Sequence, residues 1–179
     1  KENTKDFLRI LDMRHGKLVR SFVWESKKGK QLRLVFTRIL DMEVPCYAWQ
    51  KIEFHPLNFS GQVKVISACK VDPVHQSRRK CYWDFIRNVT FNNLETILVK
   101  TKTTEQKLCI SSFWEFDSEG KEEFYSENNI IGKAFILELK EKKINSLVKK
   151  VCFAADKNNS ETEEELIQKC SEAAIAQKK

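Results

Sequence analysis

The residues best suited to chemistry are three histidines in the first half of the chain. His15 precedes a glycine, His55 precedes a proline, and His75 lies in a polar connection. A histidine serves as a base in nucleophilic catalysis when it contacts a serine or cysteine and is itself oriented by a third group. None of the three is paired with such a nucleophile in the local sequence, so they predict no catalytic residue.

A run of acidic residues, 115–123, follows Trp114 and is the second candidate for chemistry. An aromatic ring can stack on the apolar face of a sugar while a neighbouring carboxylate accepts hydrogen bonds from the sugar hydroxyl groups. The same pattern is more often a solvated turn between strands, with the tryptophan in the core. We name His75, Trp83 and Trp114 as candidate carbohydrate-facing residues, because each has charged residues close to it in the sequence.

Six cysteines are scattered along the chain without the spacing of a metal site. Zinc ligands usually occur as C-x-x-C or as closely spaced Cys and His residues. Several of the cysteines lie inside apolar segments such as CYAW and LCIS, where Cys behaves as a small buried hydrophobic residue. Free thiols are therefore expected, and we predict no metal site and no cofactor-binding site.

The formal net charge of +7 suggests a nucleic-acid partner, but the distribution of the basic residues argues against one. Only Arg78, Arg79 and Lys80 form a compact triplet, whereas a nucleic-acid surface usually shows a motif or a clustered basic face. No stretch approaches the roughly 20 apolar residues of a membrane helix. The first residues, KENTKDF, lack the apolar core of a signal peptide. We expect no nucleic-acid or membrane partner and a cytoplasmic location.

Strand patterns dominate the chain as far as residue 156. Alternation of apolar and polar residues, or short apolar runs bounded by turn residues, predicts a half-buried or buried strand. These patterns occur at 17–24, 31–40, 46–54, 62–69, 81–91, 94–101, 107–117, 132–141 and 146–154, with a short strand within 117–131. About ten strands at this spacing are typical of an antiparallel β-sandwich, which we assign to residues 1–156.

The composition changes after Asp156 to residues that favour helices. Ser160 and Glu163 have the spacing of a capping box, and the apolar residues that follow repeat with a helical period. A C-terminal α-helix is therefore predicted in 157–179. It is either the start of a linker to a further domain or a helix that packs back on the sandwich.

One long phrase in the first third of the chain is distinctive: LDMRHGKLVRSFVWESKKGKQLRLVFTRIL, which starts at Leu11. AWQKI at 48–52 and LNFSG at 57–61 follow it in order. These segments resemble the N-terminal domain of glycoside hydrolase family 65. The similarity is dense over residues 9–72 and thin from 84 to 140. Within the family, it is strongest to phosphorylases of the kojibiose, nigerose or maltose type.

The resemblance implies a galactose-mutarotase-like β-sandwich, followed in the family by a helical linker, an (α/α)6 catalytic barrel and a small C-terminal β domain. The general-acid glutamate and the phosphate site belong to the barrel, so no catalytic residue can be assigned to this chain. The strands that precede the L-D-M phrase in the family are missing here. We therefore expect an N-terminally truncated sandwich with exposed sheet edges.

The function that the resemblance implies is that of a non-catalytic N-terminal domain in an enzyme acting on α-linked glucose disaccharides. It would support the barrel, shape substrate access and contribute to a homodimer, and inorganic phosphate would be the co-substrate of a parent phosphorylase. This chain alone is expected to be inactive. The alternative is an independent carbohydrate-binding β-sandwich module. A free-standing mutarotase-like enzyme needs converging histidines and an acid, which three dispersed histidines support poorly.

Overall fold

The described chain consists of eleven β-strands followed by one α-helix. The computed structural model describes residues 3–91, 93–117, 120–127 and 129–177. The elements are β1 (Thr4–Asp12), β2 (Lys17–Glu25), β3 (Gln31–Leu40), β4 (Tyr47–Pro56), β5 (Gly61–Lys70), β6 (Trp83–Phe91), β7 (Leu94–Thr101), β8 (Lys107–Phe116), β9 (Gly120–Glu127), β10 (Ile130–Leu139), β11 (Asn145–Asp156) and α1 (Glu163–Ala176). This mainly β content with one C-terminal helix confirms the predicted fold class.

The strands form two sheets. Eight strands make the larger sheet in the order β1-β2-β3-β4-β11-β8-β7-β6, and three make the smaller sheet in the order β5-β10-β9. From β1 to β4, and again from β6 to β8, each strand pairs antiparallel with its neighbour in the chain. The predicted hairpin around Gly29 is confirmed, because Gly29 has a φ of 74° in the turn between β2 and β3.

Two compact units divide the chain, and each is built from three segments. Unit 1 contains Lys1–Val65, Trp114–Glu122 and Ala134–Lys150, and unit 2 contains Ile66–Phe113, Glu123–Lys133 and Val151–Lys179. The boundary predicted at residue 156 stays a prediction. Whether 157–179 leads into a linker and a barrel stays a prediction.

The core of unit 1 is formed by side chains from both sheets. Its buried members are Leu32, Ile52, Phe54, Phe59, Phe135, Leu137, Leu139 and Leu147. Side chains alternate between the two faces of a strand. Leu34 pairs with Phe54 and Phe36 pairs with Ile52, so these four side chains of β3 and β4 face the core together. Two sheets that bury their inner faces against each other in this way are the packing of a β-sandwich.

Unit 2 uses the two faces of β7 for different contacts. On one face, Ile97 and Val99 join Val71 and Ile131 in a hydrophobic cluster. On the other face, Leu98 is fully buried, and Thr96 shares a 2.8 Å hydrogen bond with Ser111 of β8. Helix α1 packs against β7, so both faces of this strand are covered. Continuous burial on both faces explains why residues 94–99 show little hydrophobic alternation.

The start of α1 differs from the prediction by two residues. The N-cap is Thr162, whose hydroxyl accepts a hydrogen bond from the backbone N–H of Glu165, while the Glu165 carboxylate accepts one from the Thr162 N–H. The capping box assigned to Ser160 and Glu163 is therefore wrong. Ser160 instead donates its backbone N–H to Asp156, and this contact holds the connecting turn outside the helix.

Two strands, β1 and β9, differ from the prediction because their apolar pattern is irregular. β1 (Thr4–Asp12) was not predicted, because charged residues interrupt its apolar pattern and most of its side chains are exposed. β9 (Gly120–Glu127) is longer than the short strand expected within 117–131. Neither strand shows the regular alternation that a half-buried strand requires.

The cap can be tested with two alanine variants that lie two residues apart. Thr162→Ala is expected to lower the free energy of unfolding by about 1 kcal/mol, because it removes the N-cap acceptor. Ser160→Ala is the matched control and should cost less than about 0.5 kcal/mol, since Ser160 contributes mainly through its backbone. Urea unfolding followed by circular dichroism measures both values. A larger loss for Ser160→Ala than for Thr162→Ala would contradict this assignment.

Candidate functional site

A cavity of about 610 Å³ in unit 2 lies between α1 and the strands β6 and β7. We call it the helix groove. It is lined by Arg87, Val89, Thr96, Glu164, Ile167, Gln168, Ser171, Glu172 and Ile175. Its volume falls within the range of pockets that hold small organic ligands.

Strand register and helix periodicity build this groove. Val89 of β6 pairs directly with Thr96 of β7, so both side chains point to the face on which the helix packs. From α1, Ile167, Ser171 and Ile175 recur at intervals of four residues and line the opposite wall. The groove is therefore lined by both apolar and polar side chains.

Charged side chains of opposite sign meet at the groove. Arg87 Nη2 lies 2.7 Å from Glu164 Oε1, and Arg87 Nε lies 3.2 Å from Glu163 Oε2. The hydrogen bond from Arg87 is the main cause that lowers the pKa of Glu164. A general acid in glycoside cleavage needs a raised pKa, so that it carries a proton near neutral pH. Glu164 is therefore suited to binding or positioning and not to proton donation.

The pKa values of several other carboxylates are also lowered. The pKa values of Asp12, Glu25, Glu105, Asp156, Glu164 and Glu165 are all lowered. Each of these groups accepts hydrogen bonds, which stabilise the charged form. These carboxylates act as structural acceptors in the folded chain.

Asp156 is the most heavily bonded of these acceptors. Its carboxylate accepts backbone N–H groups of Asn158, Ser160 and Glu161 at 3.0–3.2 Å, and the Lys107 ammonium lies 3.3 Å away. Burial by itself would raise the pKa of Asp156, but these donors outweigh burial and lower the pKa to about 2. The Lys107 ammonium also donates to the Glu161 carbonyl at 2.6 Å. Asp156 thus ties the end of β11 to the turn that leads into α1.

Three buried cysteines lie where α1 meets the sheet. The Cys170 thiol lies 3.5 Å from the Cys109 carbonyl and 3.4 Å from the Cys152 carbonyl. The interaction with the Cys170 thiol and burial both raise the pKa of Cys109. All six cysteines are free thiols, and these three pack as small hydrophobic residues. No group of three or more His, Cys, Asp or Glu side chains suited to a metal ion occurs in the described ranges.

His75 and Trp83 lie in unit 2, outside the lining of the helix groove. His75 Nδ1 lies 3.1 Å from Ser77 Oγ, and its ring meets Tyr82 edge-on at 6.1 Å. Trp83 is half-buried and packs against the cluster of Ile97 and Val99. Trp83 thus serves the core, while His75 orders an exposed turn.

Trp114 lies in unit 1 and packs against its core. Its ring lies 6.2 Å from the ring of Phe135, and Lys149 Nζ lies 5.5 Å from its centroid. The acids after it have neighbours on β11, since Asp117 accepts the Ser146 N–H at 2.9 Å and Glu115 pairs with Lys150. Glu119 lies outside the described residues. A carbohydrate-facing role for His75, Trp83 and Trp114 stays a prediction.

Arg87 and Asp156 were missed as site residues in the sequence. Arg87 is one charged residue in a strand, and its acidic partners are 76 and 77 positions away in the chain. Asp156 marked only a change of composition. An Asp that begins a polar turn often accepts hydrogen bonds from backbone N–H groups a few residues later. This pattern could have identified Asp156 from the sequence.

Comparison with known proteins gives one match over the whole chain. Residues 1–179 match the family model described as "Glycosyl hydrolase family 65, N-terminal domain". The chain is 35% identical over 60 residues to the alpha,alpha-trehalose phosphorylase of Thermoanaerobacter brockii, over 34% of this chain and 8% of that protein. It is 37% identical over 57 residues to the kojibiose phosphorylase of Halothermothrix orenii, over 32% of this chain and 7% of that protein.

The fold is also similar to a solved structure. That structure is named "Putative kojibiose phosphorylase from human microbiome" and superposes with a TM-score of 0.82 at 23% identity. The similarity covers 98% of this chain and 23% of the other chain. The chain thus spans less than a quarter of each of these relatives. Separately, no helix within the described ranges is long and apolar enough to cross a membrane.

The bonds at Asp156 predict a pH-dependent stability. Asp156→Asn should lower the melting temperature at pH 7 by roughly 3–8 °C, because three backbone N–H groups and the Lys107 ammonium lose a charged acceptor. The folded pKa of about 2 lies below the ordinary value of 3.8. The carboxylate therefore stabilises the fold above about pH 4 and loses this effect as the pH falls towards 2.

Differential scanning fluorimetry between pH 7 and pH 2 measures this effect. The gap between the wild type and Asp156→Asn should close below about pH 4. Asp84→Asn is the control, because Asp84 is half-exposed and lies 3.6 Å from its partner Lys102. A gap that keeps its size down to pH 2 would show that the Asp156 charge contributes nothing.

Proposed function

Because the chain belongs to glycoside hydrolase family 65 as its N-terminal domain, we propose that it is the non-catalytic part of an enzyme that acts on α-linked glucose disaccharides. The single observation that carries this proposal is the match of the whole chain to a model of the N-terminal domain. The names of two relatives, a trehalose phosphorylase and a kojibiose phosphorylase, support a phosphorylase as the parent. Inorganic phosphate would then be the co-substrate of the parent enzyme.

The carboxylates of the chain support a non-catalytic role. Cleavage of a glycosidic bond needs one carboxylic acid that holds a proton and a second group that attacks or stabilises the sugar. Glu164 and Asp156, whose pKa values are lowered by hydrogen bonds, are both held in the charged form. In our proposal, the acid that donates the proton belongs to a separate catalytic barrel.

An exposed apolar strip in unit 1 supports a role in contacts with further protein. It consists of Phe7, Leu8, Ile10, Leu11 and Met13, which are between 47% and 84% exposed. The first four lie on β1, at the edge of the larger sheet, and Met13 follows the end of that strand. Contiguous apolar residues on an edge strand favour burial against another surface. We assign this strip to the contact with the rest of a longer enzyme.

We propose that the domain supports the catalytic barrel, shapes access of the disaccharide to it and contributes to a homodimer. The location would be cytoplasmic, where phosphate and disaccharides are available to a phosphorylase. The identity of the disaccharide is decided by residues of the barrel.

The proposal predicts that activity needs protein beyond this chain. The 179-residue chain should release no glucose 1-phosphate from maltose, kojibiose, nigerose or trehalose in the presence of inorganic phosphate. The longer protein encoded by the same reading frame should release it from at least one of them. A coupled assay for glucose 1-phosphate measures both. Turnover by the chain alone would refute a non-catalytic role.

The contact role of the apolar strip predicts a different result for one substitution in two proteins. Leu11→Ser should change the free energy of unfolding of the chain by no more than about 0.5 kcal/mol, since Leu11 is 65% exposed. In the longer protein, the same substitution should lower the melting temperature, because it places a hydroxyl in an apolar contact.

Leu137→Ala is the control for the Leu11 experiment. Leu137 is fully buried in unit 1, so its truncation should cost about 2–5 kcal/mol in both proteins. An equally small effect of Leu11→Ser in the two proteins would show that β1 faces solvent in the longer enzyme.

A further inference from the structure

Strand register gathers three arginines on one face of the larger sheet in unit 1. Arg9 of β1 pairs directly with Arg20 of β2, and Arg38 of β3 pairs with Leu18, two residues before Arg20. Directly paired residues share a face, and so do residues two apart on one strand. The three guanidinium groups therefore converge, although 11 and 18 positions separate them in the chain.

These arginines lie on the face that also forms the core. Arg20 pairs with Phe36, which packs against the hydrophobic core of unit 1. The Arg20 guanidinium carbon lies 4.5 Å from the ring centroid of Phe36 and 5.8 Å from that of Phe22. Arg38 Nε donates a 2.7 Å hydrogen bond to Gln50 Oε1. The aromatic rings and the glutamine thus position two of the three groups.

The positive charge of this cluster has no acidic partner. Within the described residues, none of Arg9, Arg20 and Arg38 forms an ion pair, whereas Arg87 pairs with two glutamates. Arg20 Nε is buried and has no hydrogen-bond acceptor. Burial, and then the charges of Arg38 and Arg9, lower the pKa of Arg20. Like charges held this close repel one another, and an anion between them would relieve the repulsion.

The space between the arginines is small. A cavity of about 180 Å³ is lined by Arg9, Leu18, Arg20, Phe36 and Arg38. Pockets that hold drug-sized ligands measure about 300–1,000 Å³, so this one suits an ion of a few atoms better than a disaccharide. Guanidinium groups present several N–H donors in a plane, and this geometry matches the oxygens of phosphate and similar ions.

We propose that Arg9, Arg20 and Arg38 form a binding site for a small oxyanion, with inorganic phosphate as its ligand. Arg20 supplies its guanidinium group at the base of the site. Arg9 and Arg38, which are exposed, supply donors at its mouth. Leu18 and Phe36 limit the access of water to the bound ion and so strengthen each charged hydrogen bond. This site rests on the arginines alone and does not depend on the activity proposed for the longer enzyme.

The test measures phosphate binding to the 179-residue chain by isothermal titration calorimetry, at ionic strength held constant with sodium chloride. We expect saturable binding of one phosphate ion and a rise in melting temperature as phosphate replaces chloride. Arg20→Met, which keeps an unbranched side chain without charge, should weaken the affinity by about tenfold or more.

Two further variants separate loss of the site from loss of the fold. Arg38→Gln alters an exposed residue and should fold normally, yet it should also weaken phosphate binding by about tenfold. Arg33→Gln is the matched control, because Arg33 lies on the same strand but on the opposite face. It removes the same charge and should leave the affinity within about twofold.

Two results would overturn the proposal. The first is binding that is no stronger for phosphate than for chloride, or that is equal in the wild type and Arg38→Gln. The second is phosphate binding by the chain that disappears in the longer protein, since an acidic side chain of the longer protein would then occupy the pocket. Phosphate binding in both proteins, lost in Arg20→Met and Arg38→Gln but kept in Arg33→Gln, supports the site.

Discussion

The cross-strand register of β1 to β4 is the constraint on which unit 1 depends. Because side chains alternate between the faces of a strand, one register decides every residue that faces the core. The pairing of Phe36 with Ile52 completes the apolar face, and the pairing of Arg20 with Phe36 places a guanidinium group at its margin. A shift by one residue would send Phe36 to the outer face and separate the arginines. The register of these strands that buries the apolar residues is therefore also the register that brings the three arginines together.

Unit 2 depends on a polar contact instead. The carboxylate of Asp156 gathers three backbone N–H groups and lies beside the Lys107 ammonium, so the chain turns sharply after β11. This turn brings α1 back to β7, where Cys170 and Leu166 are fully buried. The helix groove is a consequence of this packing. The strand register determines which side chains of β6 and β7 line the groove, and the helical period determines which side chains of α1 face them.

Both units point to binding and support. In unit 2, Arg87 and Lys107 are matched with carboxylates, and the matched groups hold elements together. Among the described residues of unit 1, the three clustered arginines form no ion pair, and the apolar strip on β1 is exposed. The chain belongs to glycoside hydrolase family 65 as its N-terminal domain, and we proposed that it supports a separate catalytic part. In our proposals, the uncompensated charge binds a small anion and the exposed apolar residues contact further protein.

The sequence by itself determined the class of the fold, the family, and the existence of the terminal helix. Alternation in β3, the Gly29 turn and the helix-favouring composition after Asp156 are local signals, and each can be read within a few residues. The local sequence pattern gave the wrong prediction where contacts with other parts of the chain determine the structure. β1 was missed because its apolar residues are exposed and do not alternate regularly. The helix cap was misplaced because Asp156 accepts a hydrogen bond from the Ser160 backbone. Only the tertiary structure decided that Arg9, Arg20 and Arg38 share one pocket, because neighbours across a sheet are set by strand pairing and not by distance along the chain.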